Sequence, residues 1–417
     1  MKSCSTRGVS GPFPRRHFYP GFLGVLLVTG LVLAGQACRS RWPGLSAIPP
    51  EEGPSSLAGW GYRDYTGVIH VHTAYSPDSP GLLSEVAEAA NDRELDYVLI
   101  TDHNTLRGLK EGNEGWYGRA LLLIGSEVST TDGHCLAFGL QDFWGEERPG
   151  GKMPPERLFE LAKRQGALLF IAHPTRPSNP WRNWEVSRAN GLEVYNLGTD
   201  LKRMVPLIHL QDLFFSIFLL RLDISGLIRK PADTLALWDD LLIRGRRMVG
   251  IGGVDAHARV RLLGWGVDSY ARLFGILQTH LLSQKQLTGK LQPDKALIYE
   301  ALAKGHAYLS FGLWGDATGF GFWAQAGEKL RGVLGDEVDW EPNLRLVVAA
   351  PEESRIVLLR DGEEIGEGAG PRREAKADRP GIYRVEIYQK VGFRYRLWIL
   401  SNPIFLKESA PLLAGFH

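Results

Sequence analysis

Short apolar runs that each end in a histidine or a carboxylate, spaced by helical segments, constrain this chain of 417 residues more than any other feature. Val68–Val71 carries His70 and runs into His72, with Asp78 in the loop beyond. Tyr97–Ile100 leads into Asp102 and His103, Leu121–Ile124 into Glu127, Ala167–Ala172 into His173, and Met248–Val254 into Asp255 and His257. His134 opens the β-rich run to Leu140, and Leu192–Tyr195 holds Glu193, with Asn196 just past it. Between them Ser84–Arg93, Pro155–Gln165 and Thr234–Ile243 have helical spacing; the second opens on Pro and sets Leu158, Leu161 and Ala162 on one face. This alternation predicts an α/β fold, a mostly parallel sheet covered by helices in barrel or open form. In such folds the carboxyl ends of the strands build the site.

A single His-x-His or Asp-x-His is a weak sign, because alternating strands often bury satisfied histidines. The distribution is stronger. Of eleven histidines, six (His70, His72, His103, His134, His173 and His257) stand at predicted strand ends beside carboxylates. Burying so many ionisable groups unpaired is costly, and a metal cluster removes that cost. Two residues apart on a strand, His70 and His72 are expected on one face, as are Asp255 and His257. Imidazole and carboxylate without thiolate favour Mn, Fe or Zn. Asp102 carries two readings, an orienting partner of His103 or a strand-end turn. Glu193 and Asn196 either line the site or satisfy a strand end. Arg176 is read as a solvated surface residue, with a phosphate contact as the alternative.

With 48 basic against 47 acidic side chains, the net charge of +1 supplies no field for nucleic acid. Three cysteines in an ordinary globular composition exclude a disulfide-stapled or collagen-like chain. Residues 1–37 hold four bases and no acid, and Phe18–Cys38 is uncharged, which reads as a signal peptide or an uncleaved membrane anchor. The end of that run, AGQAC, resembles a lipobox, with Gly35 and Gln36 departing from the usual residues, and makes Cys38 a candidate for lipidation. Residues 38–61 read as a linker and 62–318 as the ligand-bearing domain. Residues 204–228 are unusually apolar, and three readings stay open: a buried helix, an active-site lid, or an interfacial helix. Residues 319–408 turn to short alternating strands, with Asp361-Gly362 as a hairpin turn, and suggest an immunoglobulin-like β-sandwich.

The motifs HVHTAYSPDS, ITDHNT, GSEVS, GHCLAFG, FIAHP, GLEVYN and GVDAH, in this order, resemble the PHP (polymerase and histidinol phosphatase) superfamily over Gly67–Arg259. The resemblance implies a distorted seven-stranded (β/α) barrel holding two or three divalent metal ions. It places His70, His72, Glu127 and Asp255 around one metal, Asp78, His103 and His257 around a second, and Glu127, His134 and His173 around a third. The stretch ALWDDLLIRGRRMVGIGGVDAHA and the ending WILSNPIFL resemble the carbaryl-hydrolase-like branch.

The expected function is hydrolysis by a metal-bridged hydroxide in an exported protein of the cell envelope, held to a membrane through the N-terminal segment or a lipid on Cys38. A phosphoester is the leading small-molecule substrate, and a carbamate, ester or amide is the alternative. A noncatalytic, metal-stabilised surface binding module is the reading from a different class. A proofreading-type exonuclease is disfavoured by the neutral charge and the leader.

Overall fold

The computed structural model describes residues 46–47, 57–143, 151–184, 188–203, 228–259, 261–262, 265–266 and 268–408. The leader, Cys38, most of the linker and the apolar stretch 204–227 lie outside them. The chain from Ser40 to His417 forms one compact unit. Among the described residues no helix is long and apolar enough to cross a membrane.

The fold is mixed α/β, with large sheets and few helices. Strand β1 (Arg63–Val71) pairs in parallel with β2 (Tyr97–Ile100), and β2 with β3 (Ala120–Ile124). Through Gly125 the chain continues into β4 (Ser126–Thr130), which pairs antiparallel with β5 (Gly133–Phe138). Next come β6 (Leu168–Ala172), antiparallel to β5, then β7 (Gly191–Asn196) and β8 (Val249–Ala256), each parallel to its predecessor. Strand β8 pairs in parallel with β1, so the pairings return to their start. Five of these pairings are parallel; the two antiparallel ones flank β5, and β1 also pairs antiparallel with Gln278–Ser283.

Both faces of these strands are apolar, as parallel strands buried on two sides require. Val68, Val98, Leu122 and Leu192 pack in one cluster with Val86 of α1 (Leu83–Asp92), Leu158 and Leu161 of α2 (Pro155–Gln165), and Leu235 and Trp238 of α3 (Ala232–Ile243). The alternate residues Ile69, Leu99, Leu123, Leu136, Phe170 and Ile251 pack in another with Leu297 and Ile298 of α4 (Leu291–Lys304). Helix α2 starts on Pro155 and stops at Gly166, whose φ of 65° is the left-handed geometry glycine adopts without strain.

After α4 the chain forms two sheets, consistent with a β-sandwich. One contains Gly321–Ala326, Lys329–Val333, Leu344–Ala349 and Arg372–Lys376, to which the two-residue strand Ser46–Ala47 adds an edge. The other contains Arg355–Arg360, Glu363–Ala369, Gly381–Val391, Arg394–Ser401 and Ile404–Lys407. Asp361 and Gly362 turn the first hairpin with φ of 52° and 79°, as their sequence predicts. The second sheet is continuous with the first part of the fold, because Ala307–Ser310 pairs with both Gln278–Ser283 and Arg394–Ser401.

A buried ion network reinforces this join. Arg384 donates to both carboxylate oxygens of Asp239 on α3 (2.9 and 2.7 Å) and to Glu386 (2.7 Å), while Lys230 donates to the other Glu386 oxygen (2.6 Å). Removing one partner of a buried network strands the others, and the loss outweighs the worth of a surface pair. Arg384→Ala is therefore expected to lower stability by about 3–5 kcal/mol in denaturant titration, whereas trimming the exposed Arg107–Glu111 pair should change it by under about 1 kcal/mol.

Candidate metal centre

All nine ligand-type residues expected at the strand ends converge. Ligand atoms lie within 4.8 Å of one another in four sets: His72, Asp78, His103 and His257; His70, His72 and Glu127; His70, His173 and Asp255; and His103, Glu127 and His134. The grouping differs from the one the resemblance implies in three places: His72 joins the Asp78 set, His173 and Asp255 form a set with His70, and His103 takes the place of His173 beside Glu127 and His134.

Local backbone makes this convergence possible. His70, His173 and Asp255 have φ of 71°, 31° and 54°, a region few non-glycine residues occupy. The β1 and β8 registers shift at Ile69/Val71 and Gly253/Ala256. Such bulges re-aim side chains at strand ends. His70 and His72 do reach the same carboxylate oxygen, but through a bulge rather than through the plain alternation expected of a regular strand.

Glu127 is the hub, fully buried. Its Oε1 lies 2.6 Å from His134 Nδ1 and 2.9 Å from His173 Nε2. Its Oε2 lies 3.0 Å from His70 Nε2, 3.2 Å from His72 Nε2 and 3.3 Å from His103 Nδ1. Burial pushes the Glu127 carboxyl pKa up, but His70 and His134 outweigh it and hold the group well below the usual range. Asp255 behaves alike, with His70 and Arg176 overcoming its burial.

The hydrogen bonds behind the rings fix their tautomers. Ser76 Oγ donates to Asp102 (2.8 Å) and therefore accepts from His72 Nδ1–H at 3.1 Å. His72 Nε2 is left bare, 3.2 Å from one carboxylate oxygen and 3.6 Å from another. His257 Nδ1 lies 2.9 Å from the Asp255 carbonyl, and its Nε2 lies 3.3 Å from Asp78 Oδ2. Neither Nε2, nor His173 Nδ1, nor Asp78 Oδ1 has a hydrogen-bond partner among the described residues.

A lone pair aimed at a carboxylate is repulsive unless a cation lies between them. Burial holds the His72 pKa down to about 3, so a proton on that ring does not supply the charge. His70 is the opposite case: burial lowers its pKa, but Glu193, Glu127 and Asp255 outweigh it and leave it well above the usual value. The same negative potential that holds a proton on His70 would hold a divalent ion in its place. The residues fit divalent metal held by imidazole and carboxylate ligands, a donor set without thiolate.

Glu193 and Asn196, read as possible lining groups, and Asp102, read as an orienting partner of His103 or a strand-end turn, all sit one layer back. Asp102 accepts from Thr73 N–H (2.6 Å), Thr73 Oγ1 (2.7 Å) and Ser76 Oγ, so it steadies His72 through Ser76; Ser76 also accepts the His103 backbone N–H (3.0 Å). Glu193 accepts from His70 Nδ1 (2.6 Å) and from the His173 backbone N–H (2.6 Å), and Asn196 donates to it (2.8 Å).

Arg176 is not the solvated side chain expected of it. It is largely buried and donates to Asp255, to Asn196 (3.3 Å) and to Thr199 (3.0 Å). Asp255 draws it inward, a pairing across 79 positions that local pattern does not reveal. Thr73 and Ser76 were not singled out from sequence, although the run HVHTAYS held them close to His72. His280 and His306 offer a contrast: His280 contacts Asp64 and Ser310 (3.0 Å each), and His306 contacts Asp336 (2.8 Å), as structural histidines do.

No protein-family model matches the chain. Among solved structures it is similar to PsfC from Pseudomonas syringae, at 16% identity over 56% of this chain and 87% of that one, with a TM-score of 0.38. A proposed metal-dependent phosphoesterase from Bifidobacterium adolescentis is similar at 18% identity over 48% of this chain and 90% of that one, with a TM-score of 0.32. Endonuclease Q, solved with an abasic duplex, is similar at 14% identity over 58% and 56% of the two chains, with a TM-score of 0.34. In sequence, the uncharacterized protein MJ1587 of Methanocaldococcus jannaschii is 32% identical over 144 residues, which span 32% of this chain and 76% of that protein. On that identity and coverage, the chain belongs to the same family as MJ1587.

Proposed function

We propose that this protein is a multinuclear metal-dependent hydrolase of the PHP superfamily, in its carbaryl-hydrolase-like branch, and that its substrate is a small-molecule phosphoester. The observation that carries the reading is the set of buried imidazole nitrogens without hydrogen-bond partners, two of which face the carboxylates of Glu127 and Asp78. In this reading the ring of strands is the distorted seven-stranded PHP barrel, and the C-terminal sheets are an immunoglobulin-like sandwich covering one side. Two or three divalent ions, Mn, Fe or Zn, would be held by His70, His72, Asp78, His103, Glu127, His134, His173, Asp255 and His257. The leader would export the chain and hold it at the cell envelope, through residues 1–37 or a lipid on Cys38. No nucleic-acid partner is proposed.

Divalent ions so bound supply an acidified water and neutralise charge on a phosphoryl or carbonyl oxygen. The chain's own residues keep the ligands in register. Ser76 and Asp102 hold the His72 tautomer, Glu193 holds that of His70, Asn196 positions Glu193, and Arg176 anchors Asp255. Such partners behind the ligands sharpen metal affinity. Asp102, Glu193 and Asn196 thus act as positioning residues rather than through contact with substrate.

The test is a substrate panel of phosphomonoesters, phosphodiesters, aryl esters and carbamates, run on purified protein supplemented with Mn²⁺. Phosphoester turnover that chelator abolishes and Mn²⁺ restores is expected. Turnover of carbamates or aryl esters alone would replace the phosphoester with the carbaryl-hydrolase type of reaction. A folded, metal-replete protein inert on every class would leave the noncatalytic surface module. His70→Ala should remove turnover while circular dichroism stays that of the parent.

The positioning layer has its own readout. A Cβ on Gly253 would fall 1.6 Å from Glu193 Oε1, so Gly253→Ala must push that carboxylate off His70. Equilibrium dialysis should show metal affinity lower by about 10–100-fold in Gly253→Ala and in Glu193→Gln. Unchanged affinity in both would contradict the role given to Glu193.

A further inference from the structure

The C-terminal sheets carry an exposed feature that the metal centre does not use. Strands Gly381–Val391 and Arg394–Ser401 form a hairpin turned at Gly392, whose φ is 59°. At its tip Phe393 is 105% exposed, with Tyr395 at 49% and Val391 at 37% beside it. Lys390 and Arg394 are exposed and Arg396 half-buried, and residues 389–397 contain no acid. Other cations of this sheet are paired, Arg355 with Glu367 and Arg384 with Asp239 and Glu386. Among the described residues no ion pair engages Lys390, Arg394 or Arg396.

We infer that this hairpin tip docks on an anionic lipid surface, Phe393 and Tyr395 entering the interface while Lys390, Arg394 and Arg396 meet the headgroups. Protruding aromatics flanked by cations are interfacial chemistry. Three apolar side chains at a hairpin tip fall well short of the area a stable protein interface buries. The chain's connectivity points the same way. Residues 39–45 alone separate Cys38 from Ser46, whose backbone pairs with Glu374 of the C-terminal sheets. A Cys38 held at a bilayer would keep that strand within about 29 Å of it. The inference takes the membrane address from the reading above and is independent of the hydrolase chemistry.

The test uses the full chain reconstituted into phosphatidylcholine vesicles with and without phosphatidylglycerol, read by hydrogen exchange and without any activity assay. Exchange across residues 389–397 is expected to slow by about tenfold on the anionic vesicles. Phe393→Ser, and separately Lys390→Glu with Arg394→Glu, should each abolish that protection at an unchanged melting temperature. High salt should release the parent. Equal exchange on both vesicle types would overturn the proposal, as would protection that survives both variants. Self-association that Phe393→Ser abolishes, with no lipid-dependent protection, would assign the tip to a second copy of this chain instead.

Discussion

One buried carboxylate, Glu127, stands within 3.3 Å of five imidazole rings, and the rest of the centre is arranged around that crowding. Two oxygens offer about four lone-pair directions, so five rings cannot all be satisfied as hydrogen-bond donors. The shortfall is met either by bare nitrogens or by charge brought in from outside. Stacked rings raise the cost of a purely protonic answer: His72 lies 4.2 Å from His257 and 4.4 Å from His103 between centroids. Adjacent imidazolium rings in a dry site repel, whereas divalent ions serve several rings at once.

Such crowding demands a rigid frame, and the backbone shows where it is held. Left-handed residues at His70, His173 and Asp255 sit where β1, β6 and β8 end. Their strain persists because strand pairing on either side over-determines them. Behind the rings, the Asp102–Ser76 and Glu193–Asn196 pairs select which nitrogen of a ring faces inward, and Arg176 does the matching work for Asp255. The polar network is nearly saturated on the protein side and open on the side where ions would sit.

Much of this was legible from strand ends alone. The meeting of nine ligand-type residues, helices α1 to α3 and the Asp361-Gly362 turn follow from periodicity and turn chemistry, with helix bounds within two residues of those expected. What local pattern could not carry was anything set by distant partners. The bulge at His70 depends on pairing with both β2 and β8. The burial of Arg176 depends on Asp255, and the role of Ser76 on Asp102. The division expected at 318 is likewise crossed by Ala307–Ser310, a strand too short to announce two partners in its sequence.

Glu193 grips the ring of His70 with one oxygen and the backbone of His173 with the other. Two strand ends whose histidines meet at Asp255 thereby share a single strut, and neither can be retuned alone. A change that favours a larger or softer ion at one would drag the other with it. A change in the ion this chain would hold would then begin at the GLEVYN strand, with the visible ligands following.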